Sequence, residues 1–519
     1  MPLHAPGAID VREVDTFWAL LERRVAETPD RRFLVDEHDR SLTYAEFHAL
    51  VERVAAGFLS LGIGPGSVVS WQLPTRIDTV VNEFALARLG VVQNPIIPVY
   101  REREVTALVR QIDAQWIVVP GVWKDFDHRA MATAVGERLG RPLGVLTTDD
   151  GLPEGDPATL PPPPTDGNAV RWLYSTSGTT SEPKAVRHTD QTLMLGSLGV
   201  TMALEPTLDD VGSIPYPIAH IGGPLYIAIT LSAGSAVMLL ESFVPDRAAE
   251  VFRRHGVTMS GGSTAFYLAY VAQQRAVTGD GRFVPSLRIL AGGGAPMPPE
   301  VYFQVVEEIG IRVSHGYGMT ECPMITTGAP HDTDEQLAHT EGAPVPGAEI
   351  RVCGPDGHEV APGATGEICI RGPMVCKGYV SADATDAAFD ADGYFHSGDL
   401  GHVRPDGHVV LTGRAKDMII RKGENLSPQE IEDVLHEHPS VLAAAVIGLP
   451  DAERGERVCA VIELQPGAAP LTLDDVRTHC QAAGLMVQKT PEQIEIVDAL
   501  PRNATMKVLK TDLRDRFAG

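Results

Sequence analysis

The chain has 519 residues, more than one hydrophobic core normally supports, so its length predicts at least two domains. A formal net charge of −25 at pH 7 excludes sequence-independent binding to nucleic acid or to an anionic membrane, because both would repel the protein. Six cysteines without CxxC spacing, no apolar run of about 18 residues and no signal-peptide pattern predict a cytoplasmic protein without integral membrane association. Nothing in the composition indicates an oligomeric state.

The first predicted elements alternate between helix and strand. Apolar residues recur at helical spacing from Thr43 to Leu61, with Thr43 as a candidate N-cap and Gly62 just past the end. The alternation continues through a strand at 68–73, a helix at 79–89, a strand at 91–98 and a further repeat at 105–119. This pattern predicts parallel βαβ units and therefore an α/β fold.

A four-proline stretch at 161–164 predicts an extended connector, which leads into the segment TSGTTSEPK at 176–184. Hydroxyl groups donate hydrogen bonds, glycine lets backbone N–H groups approach an anion, and the lysine adds positive charge. The segment differs from a GxxxxGK[ST] loop because its lysine follows a proline and no Ser or Thr comes next. We predict a phosphate-binding loop, with an ordinary surface loop as the alternative. The candidate ligands are Thr176, Ser177, Gly178, Thr179, Thr180 and Lys184.

Four further motifs follow in a fixed order. They are GYGMTE at 316–321, YFHSGDLGHVRPDGHVVLTGR at 394–414, KDMIIRKGENLSPQEIE at 416–432 and LPRNATMKVLK at 500–510. With the phosphate loop they resemble the signatures of the adenylate-forming superfamily, which includes acyl-CoA synthetases, luciferases and peptide synthetase adenylation domains. The resemblance implies a large N-terminal domain of layered sheets and helices at 1–413. It also implies a small, mobile α+β domain at 414–519, with a hinge near Lys416.

The resemblance also implies an acid-thiol ligase that uses ATP, Mg²⁺ and coenzyme A. The carboxylate attacks the α-phosphate of ATP, pyrophosphate leaves, and the thiol of CoA then displaces AMP. Glu321 and Thr176 are the implied metal ligands, Tyr317 would stack on adenine, and Asp399 would bind the ribose hydroxyls. The other implied nucleotide ligands are Gly292, Gly293, Gly294, Gly316, Gly318, Thr320 and Arg414.

Several basic or titratable residues receive separate roles. By resemblance, Lys507 bridges the carboxylate and the α-phosphate during adenylation, whereas by itself it would be a solvated lysine in a basic tail. His220 would lie beside the thiol tunnel, with a loop or core histidine as the alternative. Lys416 would be the hinge. Lys422 and Gly423, together with Arg421, are candidates for binding the CoA phosphates, with a solvated face as the alternative.

Two residues depart from the family pattern, because Ser181 and Met506 each replace a glycine. Both residues lie in motifs that act in the ATP-using half-reaction, so two alternative functions stay open. In the first, adenylation is impaired and the chain only transfers the acyl group to CoA from an acyl-adenylate that a partner enzyme has made. In the second, the chain is a non-catalytic nucleotide-binding protein.

The substrate is expected to be a hydrophobic carboxylic acid, because residues 216–225 contain no acid to bind an α-ammonium group. Small residues at 222–223, 261–263 and 292–294 predict a roomy acyl pocket, although such glycines also serve tight turns. The acceptor is CoA or a separate carrier protein.

Overall fold

The computed structural model describes residues 7–176, 184–279, 281–422, 424–451, 453–503 and 506–518. The helices are α1 (Phe17–Glu27), α2 (Tyr44–Ser60), α3 (Ile77–Arg88), α4 (Glu102–Gln111), α5 (His128–Leu139), α6 (Asp190–Leu204), α7 (Gly222–Ala233), α8 (Pro245–His255), α9 (Thr264–Arg275), α10 (Pro299–Ile309), α11 (Asp334–His339), α12 (Ala382–Asp386), α13 (Pro428–His436), α14 (Leu473–Ala482) and α15 (Lys510–Phe517). Within the described residues, no helix has both the length and the apolar character needed to cross a bilayer.

The strands are β1 (Arg32–Asp36), β2 (Ser41–Thr43), β3 (Val68–Trp71), β4 (Val92–Pro95), β5 (Trp116–Val119), β6 (Val122–Trp123), β7 (Phe126–Asp127), β8 (Gly144–Thr147), β9 (Val170–Thr176), β10 (Lys184–Thr189), β11 (Val211–Ile214), β12 (Ala236–Leu239), β13 (Met259–Gly262), β14 (Ile289–Gly293), β15 (Val313–Met319), β16 (Cys322–Thr327), β17 (Ala343–Pro344), β18 (Glu349–Cys353), β19 (Gly366–Arg371), β20 (Phe395–Val403), β21 (Val409–Arg414), β22 (Ile419–Arg421), β23 (Glu424–Leu426), β24 (Val441–Asp451), β25 (Gly455–Leu464) and β26 (Gln493–Val497).

The predicted βαβ units form a six-stranded sheet in the order β10-β9-β4-β3-β5-β8. Strand β3 runs parallel to both β4 and β5, which confirms the predicted alternation. Helix α2 begins where the sequence indicated. The side chain of Thr43 accepts a hydrogen bond from the N–H of Glu46, and the Glu46 side chain accepts one from the N–H of Thr43. This reciprocal capping box satisfies two backbone donors that the first turn leaves unpaired.

Three larger sheets and the two-stranded sheet β6-β7 complete the large part of the described chain. The strand orders of the three larger sheets are β11-β12-β1-β2, β13-β14-β15-β16-β17 and the antiparallel β18-β19-β20-β21. The main core packs α1, α2 and α3 through the rings of Phe17, Phe47 and Phe84, which meet edge to edge or edge to face. These layers bring the ends of β9, β15 and β20 toward the candidate site.

The C-terminal part has its own sheet, in the order β23-β22-β25-β24, with β26 parallel to β25. The predicted helix after residue 428 and the predicted strand around 443–447 are both present, as α13 and the longer β24. One sheet ends at Arg414 and the next begins at Ile419, with a short 3-10 turn at Ala415–Asp417 between them. The α/β class, with a large N-terminal and a small C-terminal α+β part, is confirmed, while the boundary after residue 413 stays a prediction.

Candidate active site

Asp399 is the buried carboxylate around which the predicted nucleotide ligands gather. It pairs with Arg414 across β20 and β21 and is 3% exposed. Its Oδ1 accepts a hydrogen bond from Arg414 Nε at 2.8 Å, and its Oδ2 accepts one from the Tyr317 hydroxyl at 2.7 Å. Because a carboxylate has about four lone-pair positions, two remain for vicinal hydroxyls such as those of ribose.

Tyr317 holds this carboxylate as a neutral donor. Burial, followed by the charge of Asp399, raises the pKa of Tyr317 well above its ordinary value. The phenol therefore stays protonated near neutral pH and keeps donating to Asp399. Its stacking on adenine stays a prediction.

Lys507 reaches this group from the C-terminal part of the chain. The turn that carries it is closed by two hydrogen bonds, because Asn503 N–H donates to the Lys507 carbonyl at 2.9 Å and Lys507 N–H donates to the Asn503 side chain at 2.9 Å. Burial, followed by the nearby charge of Arg414, lowers the pKa of Lys507 to about 8. Asp399 opposes that shift. The ammonium is therefore still the main form at pH 7, but it deprotonates far more easily than an ordinary lysine.

His220 lies just before α7, and its Nδ1 accepts a hydrogen bond from Gly222 N–H at 3.2 Å. Burial, followed by the charge of Lys507, lowers the pKa of His220 to about 4, so the ring is neutral at physiological pH. The structure thus brings Lys507 close enough to act electrostatically on both His220 and Asp399. Lys416, the predicted hinge, lies in the 3-10 turn beside the same group.

The phosphate end of the candidate site lies at the loop end of the β9–β10 hairpin, where Thr176 pairs with Lys184. The Lys184 ammonium lies 5.1 Å from the ring centre of Tyr379, and the Tyr379 hydroxyl donates to Glu321 Oε1 at 2.7 Å. Burial raises the pKa of Glu321, and the Tyr379 hydrogen bond opposes the rise. A carboxylate oxygen is the hard ligand that Mg²⁺ prefers, so Glu321, near the predicted phosphate ligand Lys184, has the chemistry of the predicted metal ligand.

Four predicted phosphate ligands lie outside the described residues, as does the unusual Ser181. The four are Ser177, Gly178, Thr179 and Thr180.

Two side chains that the sequence analysis missed hold the site in place. Tyr379 contacts Glu321 although the two residues are 58 positions apart in the sequence, because residues 377–380 run alongside β10. His188 is fully buried, and its Nε2 lies 2.7 Å from the carbonyl oxygen of Thr320. Burial lowers the pKa of His188 to about 4, and a carbonyl can only accept, so the neutral ring must carry its proton on Nε2. No local motif points to either residue, since both contacts arise from strand packing.

Most of the predicted glycines lie where an added Cβ atom would clash with neighbouring backbone atoms. A Cβ atom on Gly292 would lie 1.8 Å from the carbonyl oxygen of Gly262, and one on Gly261 would lie 1.5 Å from that of Ala291. The same kind of backbone clash would occur at Gly293, Gly316, Gly318 and Gly223, while Gly294 has a positive φ of 82°. The small residues are therefore required by closely spaced strands, and their presence alone does not indicate a roomy acyl pocket.

The candidates for binding CoA phosphates differ in their surroundings. Arg421 donates two hydrogen bonds to Glu492, at 3.1 and 2.8 Å, so its charge is already matched within the protein. Lys422 has a side chain that is 53% exposed, and its Nζ lies 3.4 Å from Glu453. Lys422 is therefore the better candidate than Arg421 for binding the CoA phosphates. Gly423 lies outside the described residues.

Comparisons with known proteins identify the family of the chain. The family model for AMP-binding enzymes matches residues 21–380, and the one for their C-terminal domain matches residues 430–507. The chain is 31% identical to the salicyl-AMP ligase / salicyl-S-ArCP synthetase of Mycobacterium tuberculosis, over 98% of this chain and 91% of the relative. It is 32% identical to the 2-hydroxy-7-methoxy-5-methyl-1-naphthoate–CoA ligase of Streptomyces carzinostaticus, over 98% of this chain and 94% of the relative.

Among solved structures, ATP-bound MatB from Rhodopseudomonas palustris superposes with a TM-score of 0.87 at 28% identity, over 96% of this chain and 99% of that one. The chain belongs to the AMP-binding enzyme family, the adenylate-forming superfamily that the motifs resembled. It is an AMP-forming acid-thiol ligase.

Proposed function

We propose that the protein converts a hydrophobic carboxylic acid into its CoA thioester through an acyl-adenylate. The observation that supports this most strongly is the meeting of Lys507 with Asp399, Arg414 and His220, which come from four separate segments of the chain. A mobile cation beside a fixed ribose acceptor suits a reaction in which an anion attacks a phosphorus atom.

The residues divide the first step between them. Asp399 and Arg414 hold the ribose, Lys184 and Thr176 hold the outer phosphates, and Thr320 contacts the α-phosphate. Mg²⁺ held by Glu321 would neutralise phosphate charge. Lys507 then draws the carboxylate toward the α-phosphate and stabilises the negative charge that builds there, which is worth several kcal/mol in a partly dried site.

The second step needs Lys507 to leave and a thiol to enter. We assign the hinge to Lys416, because the 3-10 turn that contains it is the only link between the sheet ending at Arg414 and the one beginning at Ile419 in this part of the described chain. His220, neutral and next to the N-terminus of α7, would lie beside the incoming thiol.

The acid is proposed to be hydrophobic, with a ring as its most favoured form. Between α6, α7 and β13 lies an apolar cluster that includes Leu225, Ile229 and Met259, with Met324 packed against it. Residues 216–225 offer no carboxylate to an α-ammonium group. The names of the two relatives specify salicyl and naphthoate groups, which are aromatic acids. CoA is the proposed acceptor, with a carrier protein as the competing one, since one relative is named for an S-ArCP product.

A two-part assay tests the proposal. A panel of aromatic, alicyclic and fatty acids is used for ATP–pyrophosphate exchange, and CoA thioester formation is measured separately from synthetic acyl-adenylates. We expect both activities with the same acid, and Lys416→Pro should retain exchange while losing thioester formation. Thioester formation without exchange would instead identify a transferase that depends on a partner enzyme. ATP binding with neither activity would contradict the proposal, and acylation of a carrier protein in preference to CoA would change the acceptor.

A further inference from the structure

The antiparallel sheet that carries Asp399 also gathers sulfur, nitrogen and oxygen ligands on one face. Cys369 of β19 pairs directly with His396 of β20, and Glu367 lies two residues before Cys369 on the same strand. Directly paired residues, and residues two apart, project to the same face of a sheet. The register therefore places Glu367, Cys369 and His396 side by side.

Their functional atoms converge. His396 Nδ1 lies 2.8 Å from Glu367 Oε2 and 3.6 Å from Cys369 Sγ, and the three atoms all lie within 4.8 Å of one another. Cys369 is fully buried, whereas the side chains of His396 and Glu367 are 30% and 28% exposed. The group therefore has a closed floor and one side that solvent can reach.

A backbone N–H group fixes one of these side chains from behind, and a carboxylate lies near a second. The other oxygen of Glu367 accepts a hydrogen bond from Gly398 N–H at 2.9 Å. The other ring nitrogen of His396 lies 3.9 Å from Asp390 Oδ2. This distance is too long for a hydrogen bond, so Asp390 acts on the ring of His396 only through its charge.

We propose that Glu367, Cys369 and His396 form a binding site for one divalent transition-metal ion of the zinc type. Zn²⁺ binds thiolate, imidazole and carboxylate at about 2.0–2.3 Å, and three protein ligands leave a fourth position open. When the metal–sulfur bond forms, the Cys369 thiol loses its proton to solvent, and no oxidation or reduction occurs. The site is distinct from the proposed Mg²⁺ position at Glu321, which offers only oxygen.

The site also has a structural link to the nucleotide. Between the pairs Glu367–Leu400 and Cys369–His396 the register shifts, so β20 carries an irregularity that includes Ser397, Gly398 and Asp399. Irregularities of this kind often re-aim a side chain next to an active site. Because Glu367 holds Gly398 N–H, a metal bound to Glu367 would stiffen the segment that presents Asp399 to ribose.

The test uses the full-length protein freed of metal with a chelator and titrated with Co²⁺. We expect one equivalent to bind with a near-ultraviolet sulfur-to-cobalt charge-transfer band, and Zn²⁺ to displace it and raise the melting temperature. Glu37, His38 and Glu241 form the other candidate cluster in the described part of the chain, and it contains no sulfur. The charge-transfer band therefore distinguishes the two.

Variants assign the ligands. Cys369→Ser should abolish the band, and His396→Gln should weaken binding at least about tenfold. Glu367→Gln should keep the band but weaken binding, which leaves the proposal testable if the cysteine variant does not fold. Cys480→Ser, which removes another buried free thiol in α14, should leave the titration unchanged. A wild-type protein without the band, a band that survives Cys369→Ser, or binding lost only in His38→Gln would overturn the proposal.

Discussion

The ribose end and the phosphate end of the site are held in different ways. At the ribose end, Asp399 is buried and already receives hydrogen bonds from Tyr317 and Arg414. At the phosphate end, Lys184 is exposed beside a ring, and Glu321 is held through one phenol. The side chains of the proposed ribose end are therefore preorganised without the nucleotide. The side chains of the proposed phosphate end need the charge of the ligand to fix their positions. Substitutions at the ribose end should therefore lower both the free energy of unfolding and the affinity for nucleotide. Substitutions at the phosphate end should change mainly the KM for MgATP.

The largest effect is expected when the ammonium group of Lys507 is removed. Lys507→Ala should lower ATP–pyrophosphate exchange by about a thousandfold, because a charge aimed at a developing anion is worth several kcal/mol. Thioester formation from a synthetic acyl-adenylate should change little. Lys510→Ala is the matched control, since Lys510 lies three positions on and pairs with Glu432 at 2.6 Å. Equal loss of both half-reactions in Lys507→Ala would contradict the assignment.

Asp399→Asn tests whether the ribose end is built in advance. The change leaves the buried face of Arg414 without its partner, and hydrogen bonds to charged groups contribute about 1.5–3 kcal/mol each. We expect AMP affinity, measured by calorimetry, to fall up to about a hundredfold and the free energy of unfolding to fall by about 1–3 kcal/mol. Asp406→Asn, at the exposed turn of the same hairpin, should change neither. Loss of affinity with unchanged stability would show that the ribose end is completed only by the nucleotide.

The pKa of Lys507 predicts a pH dependence with opposite signs for activity and stability. Because its pKa is lowered to about 8, the free enzyme loses the ammonium above that pH, and kcat/KM for adenylation should fall roughly tenfold per unit. An unfolded lysine still binds its proton up to about pH 10.4, so this residue's contribution to stability rises with pH between the two values. The Lys507→Arg variant should catalyse adenylation more slowly, but its kcat/KM should not fall at alkaline pH. A profile of wild-type exchange that stays flat to pH 9.5 would rule out the ammonium as the catalytic form.

Tyr379→Phe should produce a smaller effect confined to the phosphate end. Without the phenol hydrogen bond, the pKa of Glu321 rises further, and the carboxylate becomes a poorer ligand for Mg²⁺. We expect the KM for MgATP to rise about fivefold, as for the loss of about 1 kcal/mol, and to recover at higher Mg²⁺ concentration. Tyr394→Phe, which removes a surface hydroxyl near Glu349, is the control. A KM that does not depend on Mg²⁺ would argue against Glu321 as the metal ligand.

Contiguous motifs singled out residues that the structure brings together, because these residues lie in short segments that keep their spacing, while their role in ribose binding stays a prediction. Asp399 and Arg414 were both found in this way, and the hairpin brings them together. Contacts made across the sheet could not be predicted, since the link from Tyr379 to Glu321 and that from His188 to Thr320 depend on strand register. The glycines predicted as ligand contacts stay a prediction, but close backbone neighbours give most of them a second reason to be glycine, which spacing in sequence does not reveal.

Met506 gives the smallest predicted effect and decides whether the adenylation end is impaired. Its φ is +65°, which costs a residue with a Cβ about 1–2 kcal/mol, and the residue is 38% exposed. Met506→Gly relieves that strain but raises the conformational entropy of the unfolded chain, which costs about 0.4–1 kcal/mol, so we expect a gain in the free energy of unfolding of at most about 1.6 kcal/mol. Exchange should rise no more than about twofold, since about 0.4 kcal/mol corresponds to that factor. Met486→Gly is the control: because the φ of Met486 is an ordinary −64°, this change should only lower the free energy of unfolding. A tenfold rise in exchange with Met506→Gly would mean that this turn, and not the ribose end, limits the first half-reaction.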